Sequence, residues 1–374
     1  MSSTFDNLFE PIYLAGLELS NRTVMAPMSR HRARLDGVPT ADMVEYYRQR
    51  AAAGLIITEG TYPSPMGRGY LFSPGMCSQS QVDGWRRVTD AVHAAGSRIF
   101  CQIMHCGRLS DPLILPDGAD PVAPSAVQPA RHGLYALNAP RPDRPYPRPR
   151  ALATREVYAV IDEYATATAR ALDAGFDGVE IHGGNGYLPM QFFATNVNRR
   201  GDAFGGDVPR RCRFILELVD AMAAVCGSER IGVRLHAGQR FADVDDDNPE
   251  ATYSYLVPLL SRRRIAYLHL SERDVGWDVI GTLRGLFEGR IIGGGGLSRK
   301  SASEAIARGR IDLAAFGKAF LANPDLVERF RNGWTLNKAD AGTYYSQGAE
   351  GYTDYPRFAA IGATPQSSAD APLD

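Results

Sequence analysis

The chain has 374 residues, 44% of them hydrophobic and 22% charged, enough to bury a large core in one big domain or two medium ones. Lys and Arg number 41 against 42 Asp and Glu, and a net charge of −1 gives no reason to expect nucleic acid, an anionic membrane or an acidic partner. Cys77, Cys101, Cys106, Cys212 and Cys226 are odd in number and form no CxxC pair, which speaks against a disulfide framework or a zinc site and for a reducing compartment. The first residues, MSSTFDNLFEP, show no basic start or apolar core of signal-peptide length, so no signal peptide is expected, and no run reaches the ~18 apolar residues of a membrane span. A soluble, cytoplasmic protein without bound metal is expected.

In chain order, Ile12–Leu14 and Leu17–Leu19 predict a small hairpin. Arg22–Met28 then opens a series in which a short apolar strand, a Gly-rich or polar loop and an amphipathic helix repeat. Further strands are expected at Leu55–Thr58, Arg98–Met104, Gly178–His182, Ile231–Leu235, Ile265–Leu270, Arg290–Ile292 and Leu313–Phe316. Helices are expected at Thr154–Ala174, Arg210–Val225, Ala251–Arg263 and Lys300–Arg308 among others. Strands alternating with helices predict an α/β fold with a parallel sheet, and eight strands close a (β/α)₈ TIM barrel. An open doubly wound sheet is the competing arrangement. One barrel domain spanning residues 1–362 is the working expectation, with a polar, disordered tail at 363–374. Between the third strand and the next helix lie roughly 45 residues rich in Pro and Arg, against ~4–6 in an ordinary loop. This stretch, 107–150, reads as an excursion over the barrel mouth rather than a linker, because strand–helix alternation resumes beyond it with no change of composition.

Barrel chemistry gathers at the C-terminal ends of the strands. Those ends carry Pro27-Met28-Ser29, Glu59-Gly60, Gln102, His182, Arg234, Ser271, Gly294-Gly295-Gly296 and Gly317-Lys318. Two Gly-rich turns at the last two strands, with a cation on the second, suit a phosphate, although GGGG alone would also serve as a flexible surface loop. Gln102 and Arg234 end otherwise apolar strands, and a buried Arg requires either a structural carboxylate or a ligand. A flavin mononucleotide would satisfy the Gln, the Arg and the Gly corner together; phosphosugar barrels share the corner. The stretch GVEIHGGNGYLPMQ places His182, Asn185 and Tyr187 just past a strand end. Three groups able to donate a hydrogen bond or a proton there suit an enzyme that activates a carbonyl, and their H-x-x-N-x-Y spacing argues against a lone structural histidine.

The motifs LFEPIYLAGLELSNRTVMAPMSR, GRGYLFSPGM, QIMHCGR, GFDGVEIHGGNGYLPMQF, RGDAFGGD, AYLHLSE, AFLANPDL and GAEGYTDYP run in order from Leu8 to Pro356. In them the sequence resembles the Old Yellow Enzyme family of FMN-dependent NAD(P)H ene-reductases. Ser29, where the other main branch has Cys, places the resemblance in the classical branch. The resemblance implies that Pro27, Met28, Ser29, Gly60 and Gln102 hold the flavin ring, that Arg234 lies near its N1/O2 edge, and that Gly294, Gly295, Gly296, Gly317 and Lys318 take the phosphate. It implies that His182 and Asn185 bind the carbonyl or nitro oxygen of a small activated alkene. Tyr187 would then protonate the α-carbon after FMN N5 delivers hydride to the β-carbon. NADPH, or NADH, would be the reductant, and the protein a monomer or homodimer. Tyr70, Met104, Phe241 and Tyr352 are candidate pocket walls. Three positions depart from the family's commonest pattern: Lys318 for Arg, Met104 for Trp, and Gly183-Gly184, which would give the turn before Asn185 unusual freedom. Reductive denitration of nitrate esters or nitroaromatics, or a biosynthetic reduction or isomerisation of a larger molecule, is the alternative task. A flavin-free phosphosugar lyase or isomerase is the remote one.

Overall fold

Eight of the short apolar runs pair edge to edge into a closed barrel in which every neighbouring pair is parallel. The computed structural model describes residues 6–14, 16–130, 145–271 and 273–358. A hairpin of β1 (Ile12–Leu14) and β2 (Leu17–Leu19) comes first, as expected. The barrel then takes β3 (Thr23–Met25), β4 (Leu55–Ile57) and β5 (Arg98–Ile103). Beside it, β6 (Val122–Ala123) pairs in parallel with β7 (Arg150–Ala151). The barrel resumes with β8 (Gly178–Gly183), β9 (Ile231–Leu235), β10 (Tyr267–Ser271), β11 (Arg290–Gly294) and β12 (Leu313–Phe316). β12 pairs with β3, and the circle is complete.

Around the strands stand α1 (Ala41–Gln49), α2 (Gln79–Ala94), α3 (Thr154–Asp173), α4 (Leu188–Phe193), α5 (Val208–Cys226), α6 (Pro249–Arg262), α7 (Val279–Arg284), α8 (Arg299–Ala307), α9 (Lys318–Ala322) and α10 (Leu326–Asn332). Their starts follow local chemistry. Ser78 and Gln81 close a capping box on α2, and the side chains of Thr40, Asp207 and Asn248 accept the first free N–H groups of α1, α5 and α6. None of the helices described is long and apolar enough to cross a membrane.

Strand residues alternate between two cores, as the two-residue period of a strand demands. Ile56, Ile99, Cys101, Val179, Ile181 and Leu268 face the helices. Leu55, Ile57, Phe100, Tyr267, Ile292 and Leu313 form an interior cluster with Ile12, Leu14 and Leu19 of the hairpin, which plugs the N-terminal end of the barrel. One layer higher the same inward rows turn polar, with Gln102 opposite Glu180 on β5–β8 and Arg234 opposite His269 on β9–β10. That change of character marks the mouth.

The described parts of the 107–150 excursion pack beside the mouth. Arg108 Nη2 donates to the Ala242 carbonyl at 2.7 Å, the Ala130 N–H donates to Asp243 at 2.8 Å, and Tyr146 packs with Tyr70 and Tyr187. Residues 131–144 of the expected cover, and the tail expected to be disordered at 363–374, lie outside the described residues.

Candidate active site

Loops leaving the polar end of the barrel enclose a cavity of about 770 Å³. Pro27, Met28 and Ser29 line it from the turn after β3, where the Pro27 carbonyl accepts from Arg234 Nη1 at 3.4 Å. Next around the barrel, β11 and β12 deliver Gly294, Gly295, Gly296, Gly317 and Lys318. Gly295 and Gly296 hold φ of 105° and 86°, backbone that side chains other than Gly rarely adopt. A Cβ on Gly294 or Gly317 would meet no atom nearer than 3.6 Å, so neither glycine is there for want of room, and both border the cavity. Bare N–H groups beside an exposed lysine make a cradle for a phosphate, with Lys318 acting as a point charge rather than a fork. Gln102 and Arg234 border the same cavity. The set therefore fits FMN, a planar ring with a phosphate at one end.

The turn after β8 supplies the other half. His182 is buried, and its Nδ1 has no hydrogen-bond partner among the described residues. Burial first, then the charge of Arg234 and the proximity of His269, hold its pKa well below the ordinary imidazole value. A neutral imidazole donates from one ring nitrogen and accepts at the other. Asn185 sits at φ 53°, the left-handed region that Asn tolerates. Tyr187 caps α4, its ring 5.1 Å edge-on from that of His182 and its hydroxyl 3.3 Å from the Tyr70 hydroxyl. The turn is riveted from behind. Gln191 donates to the carbonyls of Cys106 and Gly186 at 3.1 and 2.8 Å and accepts from the Arg108 N–H at 3.2 Å, while the Leu188 N–H donates to the His105 carbonyl at 3.0 Å.

The structure places most of the sequence-derived residues on this one cavity, His182, Asn185, Tyr187, Met104 and Phe241 included. Gly60 does not line it. The Met104 side chain lies over Gly60, so closely that a Cβ there would be 2.4 Å from its sulfur. Tyr70 stands behind Tyr187 in a small cluster with Met104, Cys106, Leu109 and Tyr146. Tyr352 must be corrected, because it is no pocket wall. Its ring stacks on Tyr46 at 4.0 Å beneath the guanidinium groups of Arg32 at 4.5 Å and Arg30 at 5.1 Å, and these cations draw it away from the mouth. Tyr344 and Tyr345 line the cavity instead. The freedom expected of Gly183-Gly184 is also corrected, since neither has a positive φ. They are small for lack of room: a Cβ on Gly184 would be 2.7 Å from the His236 ring, and one on Gly183 2.8 Å from the Arg234 carbonyl.

Glu180, His236 and His269 were not anticipated from sequence. All three are buried; Glu180 bonds to Gln102 and His269, and His236 and His269 line the cavity. The available signal was their phase, since Glu180 and His182 are two residues apart on β8, as are Arg234 on β9 and His236 just past its end.

Residues 7–337 match the model of the NADH:flavin oxidoreductase / NADH oxidase family. A probable flavin mononucleotide-dependent alkene reductase of Leishmania infantum is 42% identical over 361 residues, covering 95% of this chain and 98% of its own. Among solved structures, morphinone reductase in complex with tetrahydroNAD superposes with a TM-score of 0.90 at 43% identity, covering 96% of this chain and 99% of that one. The old yellow enzyme homologue from Zymomonas mobilis does so with a TM-score of 0.89 at 38% identity, covering 94% and 99%.

Proposed function

The chain belongs to the NADH:flavin oxidoreductase / NADH oxidase family, as an FMN-dependent oxidoreductase of the Old Yellow Enzyme, alkene-reductase kind, and on that premise we propose that it reduces the C=C bond of α,β-unsaturated carbonyl or nitro compounds. A flavin-free phosphosugar enzyme is set aside by the family match. The observation that carries the reading is that one rigid turn brings His182, Asn185 and Tyr187 to the cavity that also holds the flavin-fitting set.

Bound FMN supplies a ring that takes hydride from a nicotinamide and yields it to an activated carbon. The protein's residues do the rest. Pro27, Met28, Ser29, Gln102 and Arg234 orient the ring, and Gly294, Gly295, Gly296, Gly317 and Lys318 hold the phosphate. His182 and Asn185 donate to the substrate's carbonyl or nitro oxygen, where negative charge accumulates as the β-carbon is reduced. Because that charge is larger in the transition state than in the bound substrate, two fixed donors accelerate the step and do not merely tighten binding. Tyr187 gives its hydroxyl proton to the α-carbon, and Tyr70 steadies the phenol. Met104 and Phe241 limit the size of the alkene that fits.

The test is anaerobic. FMN-loaded protein should bleach with NADPH or NADH and recover its colour when cyclohexenone or a nitroalkene is added. In Tyr187→Phe, bleaching should be unchanged and recovery with enone slower by ~10²-fold or more. Protein that retains no FMN after incubation and desalting, or that bleaches and is never recoloured by any activated alkene, would defeat the proposal.

A further inference from the structure

Below the mouth, inside the barrel, Glu180 is fully buried and accepts from Gln102 Nε2 at 2.7 Å and from His269 Nδ1 at 2.8 Å. A carboxylate only accepts hydrogen bonds, so the imidazole proton lies on Nδ1 and the Nε2 lone pair is left over. The ring of His269 is itself buried and lines the floor of the cavity together with Gln102 and Arg234. No step of the proposed alkene reduction uses Glu180 or His269. A carboxylate–imidazole pair sunk in a barrel core is expensive to bury and is a poor way to gain stability.

We propose that His269, held by Glu180, takes up a solvent proton each time the cofactor in the mouth is reduced and releases it on reoxidation. This rests on the flavin reading of the mouth. The balance is simple. Hydride from the nicotinamide brings two electrons and one proton, so the mouth gains one negative charge. A second proton, from solvent, adds to His269 Nε2 and cancels it. When an alkene removes the hydride, that proton returns to solvent. The charged and titratable groups around His269 make the site responsive. Glu180 on β8 favours the cation; Arg234, its register partner on β9, opposes it; His182, His236 and the Tyr267 phenol are neutral neighbours. Burial, the largest influence, and Arg234 keep His269 neutral until negative charge is added at the floor.

The midpoint potential of the FMN-loaded protein, followed against pH, decides the matter. A two-electron couple moves about 30 mV per pH unit for each proton taken up. The wild type is expected to follow about 59 mV per pH unit near neutrality, and both His269→Gln and Glu180→Gln about 30 mV. A wild-type slope of about 30 mV, or a two-proton slope that survives in His269→Gln, overturns the proposal. If His269→Gln fails to fold, the wild-type slope and Glu180→Gln still decide. Loss of the flavin band in the wild type would instead defeat the underlying reading, so the two failures are distinct.

Discussion

The same eight strands build two interiors of opposite character. Toward their N-terminal ends the inward side chains are Leu55, Ile57, Phe100, Ile292 and Leu313, sealed by the hairpin's Ile12, Leu14 and Leu19. Two residues further along, the inward rows present Gln102, Arg234 and His269 to an open cavity, with Glu180 buried behind Gln102 and His269. The lower layer needs nothing but shape and apolar area. The upper layer holds buried polar groups, Gln102, Glu180, His182, His236 and His269 among them. Taking polar groups out of water costs free energy that hydrogen bonds only partly return, so the apolar lower half and the helical shell supply the stability that the upper half does not.

If that division holds, damage below and damage above should read out differently. Phe100→Ala empties the lower layer, where the ring is fully buried, and should lower unfolding stability by about 3–5 kcal/mol in guanidinium melts. Turnover per FMN-loaded molecule should stay within a few-fold. A collapse of turnover at full stability would break the comparison. Asn185→Ala should do the converse, losing only about 1 kcal/mol of stability, the cost of Ala at its φ of 53°, while alkene reduction slows ~10²–10³-fold, the usual effect of losing one donor to a developing oxyanion. Reduction by the nicotinamide and reoxidation by alkene should be timed separately, because only the second is required to slow by that factor.

Acid should sharpen the contrast. His31 and His105 are buried above the apolar layer, and burial pushes both down to about 3. His105 Nδ1 accepts from the Gly107 N–H at 3.0 Å, a bond only the neutral ring can make. Each is therefore neutral in the fold and protonated in the unfolded chain between pH 6.5 and about 3, so stability falls as pH falls through that window. Each such histidine contributes about 1.4 kcal/mol per pH unit. His105→Gln should shallow the dependence of unfolding stability on pH between pH 6 and 4 by about that amount. An unchanged slope would mean that the upper interior is not what acid attacks.

The two halves were not equally legible in the sequence. The lower half and the strand order follow from apolar runs of strand length ending in turns, and Leu313–Phe316 and the hairpin fall where the pattern puts them. The His182–Asn185–Tyr187 turn announces itself by polar groups crowded among glycines. Glu180 and His269 do not, because a single polar residue inside an apolar run has no meaning until its phase is known. Phase depends on register, here Gln102 opposite Glu180, which is a property of paired strands. Tyr352 shows a different limit. Its motif locates the chain near the mouth, but the ring's direction is set by Arg30 and Arg32, which donate to the carbonyls of Gly351, Gly348 and Glu350 more than 300 residues away in sequence.

The smallest effect should come from the border between the two halves, at Gly60. A methyl group there would press on the Met104 sulfur at 2.4 Å and its terminal carbon at 2.6 Å, with the Met104 Cβ at 3.2 Å. The first two atoms end a flexible thioether that can swing aside, so Gly60→Ala should cost no more than about 1–3 kcal/mol, the usual range for overpacking. The thioether already lines the cavity and can swing further into it. Small enones should therefore be reduced nearly as before while bulky ones show a raised KM at little-changed kcat, and Gly60→Ala combined with Met104→Ala should restore them. Equal loss for small and bulky alkenes would show that Gly60 serves the cofactor directly, as the family resemblance implies, and that Met104 is not the gate on substrate size.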